Sequence, residues 1–468
     1  MDVTICANPT IVWLAAWLAV LLLPSGSRPM PARQEQQLLT DRELSITPDP
    51  NAAGVSEAVT GWVRENHQPV RSLSAERYDD LRFLKPLLQG KRIVQLGESS
   101  HGVAEFNLVK ARLVKFLHQE LGFEVIAFES SLDQCYRADR QAASASPANT
   151  LMDCLVGVWH TKEVLPLFEY IHASRKASRK TPRPLTLAGF DIQQIGRGKR
   201  GRPAFLRDVV TKLNAGYAGE IYQLDADFLV EYDKGRQSFQ PYLQQESGRL
   251  IAAYDRLAGF LAQHQARLAH LCKEDPQAPL VARQTARYLS LYIKQQTASD
   301  VAARSELRDQ GMADNLEFLL RELYPGKKII VWGHNFHLQH DNAAIPPLPD
   351  VFPGVRVRSM GHWVAQRHRK ELYTIGIFMY RGRAANNIRQ VFEITPVQRG
   401  SLEAISSQAG RKYLFLDLSR PKQNPATEWM FKPATAKYNG THDMTMVLRA
   451  QYDGILFIHT VTPPNYLY

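Results

Sequence analysis

The fold is decided by a strand–turn–helix stretch that begins at Arg92: RIVQL (Arg92–Leu96), GESSHG (Gly97–Gly102) and AEFNLVKARLVKFLHQEL (Ala104–Leu121). The first run is short and mostly apolar, which is typical of a strand buried in a sheet. The last run predicts a helix that starts within a few residues of the turn. A strand that leads directly into a helix is the repeating unit of α/β domains.

Six more strand-like runs follow the first, with helical stretches between them. Several are continuous apolar runs, the pattern of strands that are covered on both faces. They are Val125–Phe128, Leu185–Phe190, Lys328–Trp332, Leu372–Phe378, Tyr413–Asp417 and Gly454–His459. This alternation predicts an α/β fold with a largely parallel central sheet flanked by helices.

Between about residues 203 and 324 the strand-like runs stop. Apolar residues at helical spacing predict helices there instead, over Leu243–Leu271, Leu280–Gln296 and Ala302–Leu323. We expect a helical insertion that forms a wall or lid beside the sheet, within one domain that runs from residue 78 to residue 468.

Residues 1–30 differ from the rest of the chain. Ile11–Leu23 reads IVWLAAWLAVLLL, an apolar run too short to span a bilayer comfortably, and small residues follow it. This pattern predicts a signal peptide and an exported protein, periplasmic or secreted. Asp2 is the only charge ahead of the run, so an N-terminal anchor and a start at Met30 stay open. Residues 31–77 are polar and rich in turn formers, which predicts a linker or N-terminal arm.

Four cysteines are present, of which Cys6 lies in the predicted leader. In an exported protein Cys135 can pair with Cys154, which leaves Cys272 buried and free. Three unpaired thiols in the core are the equally open alternative.

The formal net charge of +11 indicates anionic surroundings, such as phosphate, acidic polysaccharide or lipid headgroups, and allows peripheral contact with the cell envelope. The basic residues form short scattered clusters. A stripe of basic residues interleaved with aromatic ones is missing from the sequence, which argues against nucleic acid as a partner.

Ionisable side chains follow four of the predicted strands, at the point where each strand ends. Because ligands of doubly wound sheets bind at the carboxyl ends of the strands, we expect these side chains to lie together. Histidine is scarce, with 14 in the chain, yet half of this set is histidine. The residues are Glu98, His101, Glu129, Asp191, His334 and His337.

Two kinds of chemistry fit this set. A pair such as Glu98 and His101 suits general acid–base catalysis, because imidazole titrates near neutral pH and a carboxylate fixes its tautomer. Together with His334 and His337, the same pair equally suits a divalent metal such as zinc. The sequence leaves both alternatives open. It also allows a different function, a periplasmic protein that binds metal or haem without catalysis.

From about Tyr78 to the C-terminus the sequence resembles the erythromycin esterase family. The shared motifs occur in order and with plausible spacing. They are Leu96–Phe106 with Lys110 and Leu113, Gly122-Phe123, Ala127–Glu129, Gly189–Ile192, Arg308-Asp309, Met312–Asn315, Gly333–His337 and Ser359–Gly361.

The resemblance implies a catalytic domain that hydrolyses an ester, a macrolide lactone in the best-known members. It implies that His101 is the general base that activates water, while Glu98 and Glu129 orient the histidine or the water. His334 is expected across the cleft as a further catalytic residue. The residues expected to contact substrate or form the pocket wall are Lys110, Asp191, Arg308, Asp309 and His337.

One position departs from the macrolide esterases, since Lys110 stands where they carry an arginine. A lysine ammonium keeps the positive charge but cannot make the two parallel hydrogen bonds that an arginine guanidinium makes with a carboxylate. Hydrolysis is therefore expected to survive, while macrolide specificity and antibiotic resistance are left open. An acylated glycan is the other substrate class considered. The sequence therefore predicts an exported hydrolase of a small-molecule lactone or acyl ester, with no certain cofactor and zinc as the open alternative.

Overall fold

Nine strands form the central sheet of the computed structural model, which describes residues 37–48, 54–176, 183–348, 354 and 356–468. The predicted signal peptide or anchor, residues 1–30, lies outside these ranges. Within them, none of the helices combines the length and the apolar character needed to cross a membrane.

The sheet is mixed but largely parallel. The strands are β1 (Gln68–Pro69), β2 (Ile93–Leu96), β3 (Val125–Ser131), β4 (Thr186–Asp191), β5 (Ile329–Trp332), β6 (Leu372–Ala385), β7 (Val391–Glu393), β8 (Tyr413–Asp417), β9 (Pro433–Tyr438), β10 (His442–Val447) and β11 (Gly454–Val461). Their order in the sheet is β1-β8-β11-β6-β2-β5-β3-β4, with β7 beside β6 and with β9 and β10 as a separate hairpin. Every neighbouring pair from β11 to β4 is parallel, whereas β8, β1 and β7 pair antiparallel. All seven predicted strands lie in this sheet, which confirms the predicted fold class.

Helices cover both faces of the sheet. The α-helices are α1 (Asp41–Leu44), α2 (Glu57–Asn66), α3 (Leu84–Leu87), α4 (Ala104–Leu121), α5 (Leu132–Gln141), α6 (Pro147–Cys154), α7 (Leu165–Lys176), α8 (Arg202–Thr211), α9 (Ala215–Asp233), α10 (Arg236–Gln263), α11 (Gln265–Leu271), α12 (Ala278–Thr297), α13 (Val301–Phe318), α14 (Asn335–Leu338), α15 (Met360–His368), α16 (Leu402–Ser407) and α17 (Leu448–Gln451). Short 3-10 helices lie at Asp79–Leu81, Gly157–Trp159, Arg197–Gly201, Asn342–Ala344 and Glu428–Met430, and a π-helical turn at Leu319–Leu323 follows α13.

Neighbouring residues of a central strand belong to different cores. In β3, Val125 and Ala127 pack in the core on the side of the helical insertion, while Ile126 and Phe128 pack in the core on the other face. Because both faces are covered, neither side of the strand meets solvent, and its sequence is therefore a continuous apolar run.

Helices α8 to α13 form the insertion that the sequence predicts over about residues 203–324. The stretch Leu243–Leu271, predicted as one helix, is two helices that meet at His264. Leu257 and Leu289 bury the inner face of the insertion in the same core as Val125. Because α13 packs against β4, the insertion reaches the carboxyl edge of the sheet.

The described part of residues 31–77 packs against the domain instead of forming a free linker. Helix α2 buries Val59 and Val63, and the following segment buries Val70. The two residues of β1 then pair with β8 and extend the central sheet.

The cysteines follow the predicted pairing in one respect and differ in another. Cys135 of α5 and Cys154 of α6 form a disulfide bond, 19 residues apart in sequence. Cys272 is free as expected, but it is partly exposed because it follows α11 at the outer end of the insertion. The expectation of a buried third thiol is therefore wrong.

Candidate active site

The carboxyl ends of four parallel strands bring the predicted ionisable residues to one edge of the sheet. The turn after β2 carries Glu98 and His101, and β3 carries Glu129 near its end. Asp191 is the last residue of β4, and His334 follows β5 as the N-cap of α14. Parallel pairing aligns these ends, so strand register positions the site.

Glu98 and His101 form a hydrogen-bonded pair. Nδ1 of His101 lies 2.7 Å from Oε1 of Glu98, whose side chain is fully buried. The indole nitrogen of Trp159 donates to the same oxygen at 3.0 Å, and Nζ of Lys110 donates to Oε2 at 2.9 Å. Three donors thus hold the carboxylate, which fixes the tautomer of His101 and leaves its Nε2 for the cleft.

Lys110 lies behind Glu98 and is fully buried. Its ammonium also donates to the carbonyl oxygen of Gly333 at 3.4 Å and sits 4.3 Å from the centre of the Trp332 ring. Burial lowers the pKa of Lys110 to about 8, although the charge of Glu98 opposes this shift. Lys110 is held by Glu98 and does not line the cleft, so its predicted contact with substrate stays a prediction.

Glu129 is buried between a backbone donor and a guanidinium. Oε2 accepts from the backbone nitrogen of His334 at 2.8 Å, and Oε1 accepts from Arg308 at 2.9 Å. Burial alone would raise the pKa of Glu129, but His337, His101 and Arg308 outweigh it and hold the pKa well below its usual range. Glu129 is therefore a carboxylate at neutral pH.

Arg308 extends from α13 of the insertion into the strand-end cluster. It donates to Asp191 through Nε at 3.2 Å and through Nη2 at 2.7 Å. Burial would lower the pKa of Arg308, but Asp191 and Glu129 raise it further above its ordinary value. The guanidinium is thus a permanent cation that ties the insertion to the sheet.

His337 and Asp309 form a second histidine–carboxylate pair. Nδ1 of His337 lies 2.7 Å from Oδ1 of Asp309, which also accepts from the backbone nitrogen of Met360. Nε2 of His337 lies 3.4 Å from Oε1 of Glu129 and 3.2 Å from Nη1 of Arg308. Burial lowers the pKa of His337, but Asp309 and Glu129 outweigh it, so the pKa is raised.

His334 has partners on both ring nitrogens. Nδ1 accepts from the backbone nitrogen of Phe336 at 3.2 Å, and Nε2 donates to Oδ1 of Asn439 at 3.1 Å. Burial, together with His101 and His337, lowers the pKa of His334 to about 3, so the ring is neutral. His334 lines the cleft with its ring 5.0 Å from that of His101, and the catalytic role that the sequence predicts for it stays a prediction.

A cleft of about 150 Å³ opens at this strand edge. The predicted residues that line it are His101, Glu129, Asp191, Arg308, His334 and His337. The other three stand behind it: Glu98 and Lys110 behind His101, and Asp309 behind His337.

The residues that line the cleft without having been predicted include Trp159, Tyr438 and Asn439. Trp159 ends a short 3-10 helix and lines the cleft. Tyr438 and Asn439 reach it from the tip of the β9–β10 hairpin, where the backbone nitrogen of Asn439 donates to Ser99. The Asn439-Gly440 dipeptide is a hairpin-turn signal in the sequence, but it gives no indication of where the hairpin packs.

Across the described ranges, no group of three or more His, Cys, Asp or Glu side chains is arranged to hold a metal ion. In each of the three histidines considered as ligands, Nδ1 already has a protein partner: Glu98 for His101, Phe336 for His334 and Asp309 for His337. A zinc-dependent reaction stays a prediction that a chelator tests.

Known proteins resemble both the sequence and the fold. The erythromycin esterase family model matches residues 118–461. YbfO of Bacillus subtilis (strain 168), a protein named as a hydrolase, is 32% identical over 436 residues, which cover 90% of this chain and 94% of YbfO. A solved Bacillus cereus protein superposes with a TM-score of 0.74 at 20% identity, covering 88% of this chain and 98% of its own. A solved erythromycin esterase variant in an open conformation superposes with a TM-score of 0.58 at 19% identity, covering 84% and 96%. The chain belongs to the erythromycin esterase family and is a hydrolase of that family.

Proposed function

We propose that the protein hydrolyses an ester with a water molecule that His101 activates. The observation that carries this proposal is the 2.7 Å contact between Nδ1 of His101 and Glu98, on a histidine that lines the cleft. When Nδ1–H is donated to a carboxylate, the lone pair is on Nε2, where it can accept a proton from water.

The water oxygen attacks the carbonyl carbon of the ester while its proton passes to Nε2 of His101. When the tetrahedral intermediate collapses, the bond to the alcohol oxygen breaks and the imidazolium returns the proton to that oxygen. The products are a carboxylic acid and an alcohol, without an acyl–enzyme. Glu98 stabilises the imidazolium and does not itself take the proton.

The opposite wall of the cleft supplies the remaining charges. The ionised Glu129 accepts a hydrogen bond from the attacking water and orients it. Arg308 places positive charge where the carbonyl oxygen becomes negative, and the raised pKa of His337 favours a second cation beside it. Fixed charges aimed at a developing oxyanion act more strongly in a buried site than in water.

A substrate panel tests the proposal. Purified protein is assayed with macrolide lactones, simple esters and acylated sugars, each with and without EDTA. We expect release of a carboxylic acid from at least one class, unchanged by EDTA. Activity that EDTA removes and zinc restores would replace the side-chain mechanism with a metal-dependent one. Bound metal without hydrolysis of any ester would contradict the proposal and favour the alternative, a protein that binds metal without catalysis.

A further inference from the structure

A second cavity adjoins the cleft on the side of the helical insertion. It measures about 570 Å³, against about 150 Å³ for the cleft itself. Gln193 and Ile195, in the loop after β4, line both cavities. The same loop begins at Asp191, which holds Arg308 in the cleft. The loop after β4 therefore borders both cavities, so a substrate that extends beyond the cleft meets the larger cavity across this loop.

The charge of this groove is positive. Arg304 of α13 uses Nε to bind the carbonyl oxygen of Ala298, and none of the carboxylates among the described residues lies within 4 Å of Arg304 or Arg236. Asp233 is the acidic residue of the groove, and Lys199 and Arg200 already pair with it. Two arginines thus face the groove without a neutralising partner, in contrast to Arg308.

The walls of the groove combine flat apolar surfaces with amide side chains. Tyr232, Phe239 and Tyr292 contribute aromatic rings, and Gln240 and Gln296 contribute groups that both donate and accept hydrogen bonds. Aromatic rings with a few placed polar groups are what a ligand pocket offers to a polar ring. An arginine adds recognition of a carboxylate or phosphate.

We propose that the substrate is an ester of an acidic carbohydrate, whose sugar ring lies in this groove with its anionic group at Arg304. This inference rests on the proposed ester hydrolysis and names the substrate class for that site. Arg236, at the exposed rim, adds to the attraction of the anion. Aromatic rings and amides contact the ring faces and hydroxyls.

A matched set of acetylated methyl glycosides tests the proposal. The acetylated glucuronoside and glucoside share one ring and differ by a carboxylate, and the 6-phosphate of the glucoside separates carboxylate from phosphate recognition. We expect kcat/KM to be about ten-fold or more higher for an acidic ester than for the neutral one, mainly through KM. The preference falls as salt concentration rises, since the groove is partly open to solvent.

Substitutions in the groove locate the effect. Arg304→Gln is expected to lower kcat/KM about ten-fold more for the acidic ester than for the neutral ester, whereas Arg304→Lys restores part of the preference. Arg267→Gln, an exposed change on α11, is the matched control. Equal kcat/KM for acidic and neutral esters in the wild type, or an equal loss of both in Arg304→Gln, would overturn the proposal.

A binding measurement separates this proposal from ester hydrolysis itself. Calorimetry with the unacetylated methyl glucuronoside needs no catalysis, and we expect binding to wild type and to His101→Ala that weakens in Arg304→Gln. If Arg304→Gln bound the glucuronoside as tightly as the wild type does, the proposed binding of the anionic group at Arg304 would be contradicted. Failure of the proposed hydrolysis would instead appear as acetylated sugars that bind and stay intact.

Discussion

The indole nitrogen of Trp159 lies 3.0 Å from Oε1 of Glu98, the same oxygen that binds Nδ1 of His101. Trp159 is fully buried, and its ring meets the His101 ring edge-on with centroids 5.1 Å apart. The tryptophan therefore positions both members of the pair, one by a hydrogen bond and the other by packing.

Trp159→Phe is expected to lower kcat about ten-fold and to leave KM nearly unchanged. Phenylalanine keeps most of the packing but removes a hydrogen bond to a charged group, which contributes about 1.5–3 kcal/mol. Steady-state kinetics give the split between kcat and KM, and thermal unfolding checks the fold. An unchanged kcat would show that the indole donor does not position Glu98.

Activity is expected to fall as pH rises through about 8, the lowered pKa of Lys110. Above that pH the buried ammonium loses its proton, and Glu98 loses its counter-ion. The measurement is kcat/KM between pH 6 and pH 10. In Lys110→Arg the alkaline limb should be absent, because arginine stays charged in proteins. A flat wild-type profile up to pH 10 would contradict this role of Lys110.

Stability responds to the same group in the opposite sense. Because the pKa of Lys110 is lower in the folded protein than in the unfolded chain, the unfolded chain binds more protons between about pH 8 and the ordinary lysine value. Its contribution to the free energy of unfolding therefore rises with pH across that window. The free energy of unfolding, measured with urea, should rise with pH across that window in the wild type. In Lys110→Arg it should rise less, because arginine stays charged.

Asp309→Asn is expected to lower the pKa of His337, since Asp309 is the main charge that raises it against burial. The raised pKa stabilises the folded protein below the ordinary histidine value, and this stabilisation is lost as pH rises through the folded value. An NMR titration of the His337 ring measures the shift. Asp314→Asn, an exposed change on the same helix, serves as control. Equal titration of His337 in both variants would contradict the pairing.

Reduction of the disulfide is expected to destabilise the domain by about 3 kcal/mol, the cost typical of a loop of this length. The bond joins α5 to the end of α6. Thermal unfolding with and without reductant measures the change, and a Cys272→Ser variant controls for the free thiol. An identical Tm in both conditions would show that the bond does not form in solution.

Much of the site could be predicted because parallel strands align their carboxyl ends. The residues after four apolar runs were sufficient to place His101, Glu129 and His337 together. Arg308 was predicted from resemblance alone, because its helix is far from the strands in sequence and nothing local indicates that α13 packs against β4.

The internal arrangement of the site depends on contacts that the sequence does not encode locally. Lys110 lies on α4, and only the packing of α4 behind the β2 turn directs its ammonium to Glu98. His334 follows a strand like the other site residues, yet the distant Asn439 occupies its Nε2. Such long-range hydrogen bonds determine which ring nitrogens of the histidines already have a protein partner.

The central claim is that His101 activates water, and the most direct measurement is kcat/KM of His101→Ala on the best ester of the panel. We predict a loss of about 10²- to 10⁴-fold, the usual contribution of a general base, with an unchanged Tm. His270→Ala, an exposed change on α11, should keep wild-type activity. A folded His101→Ala variant that hydrolyses the ester at the wild-type rate would contradict the account.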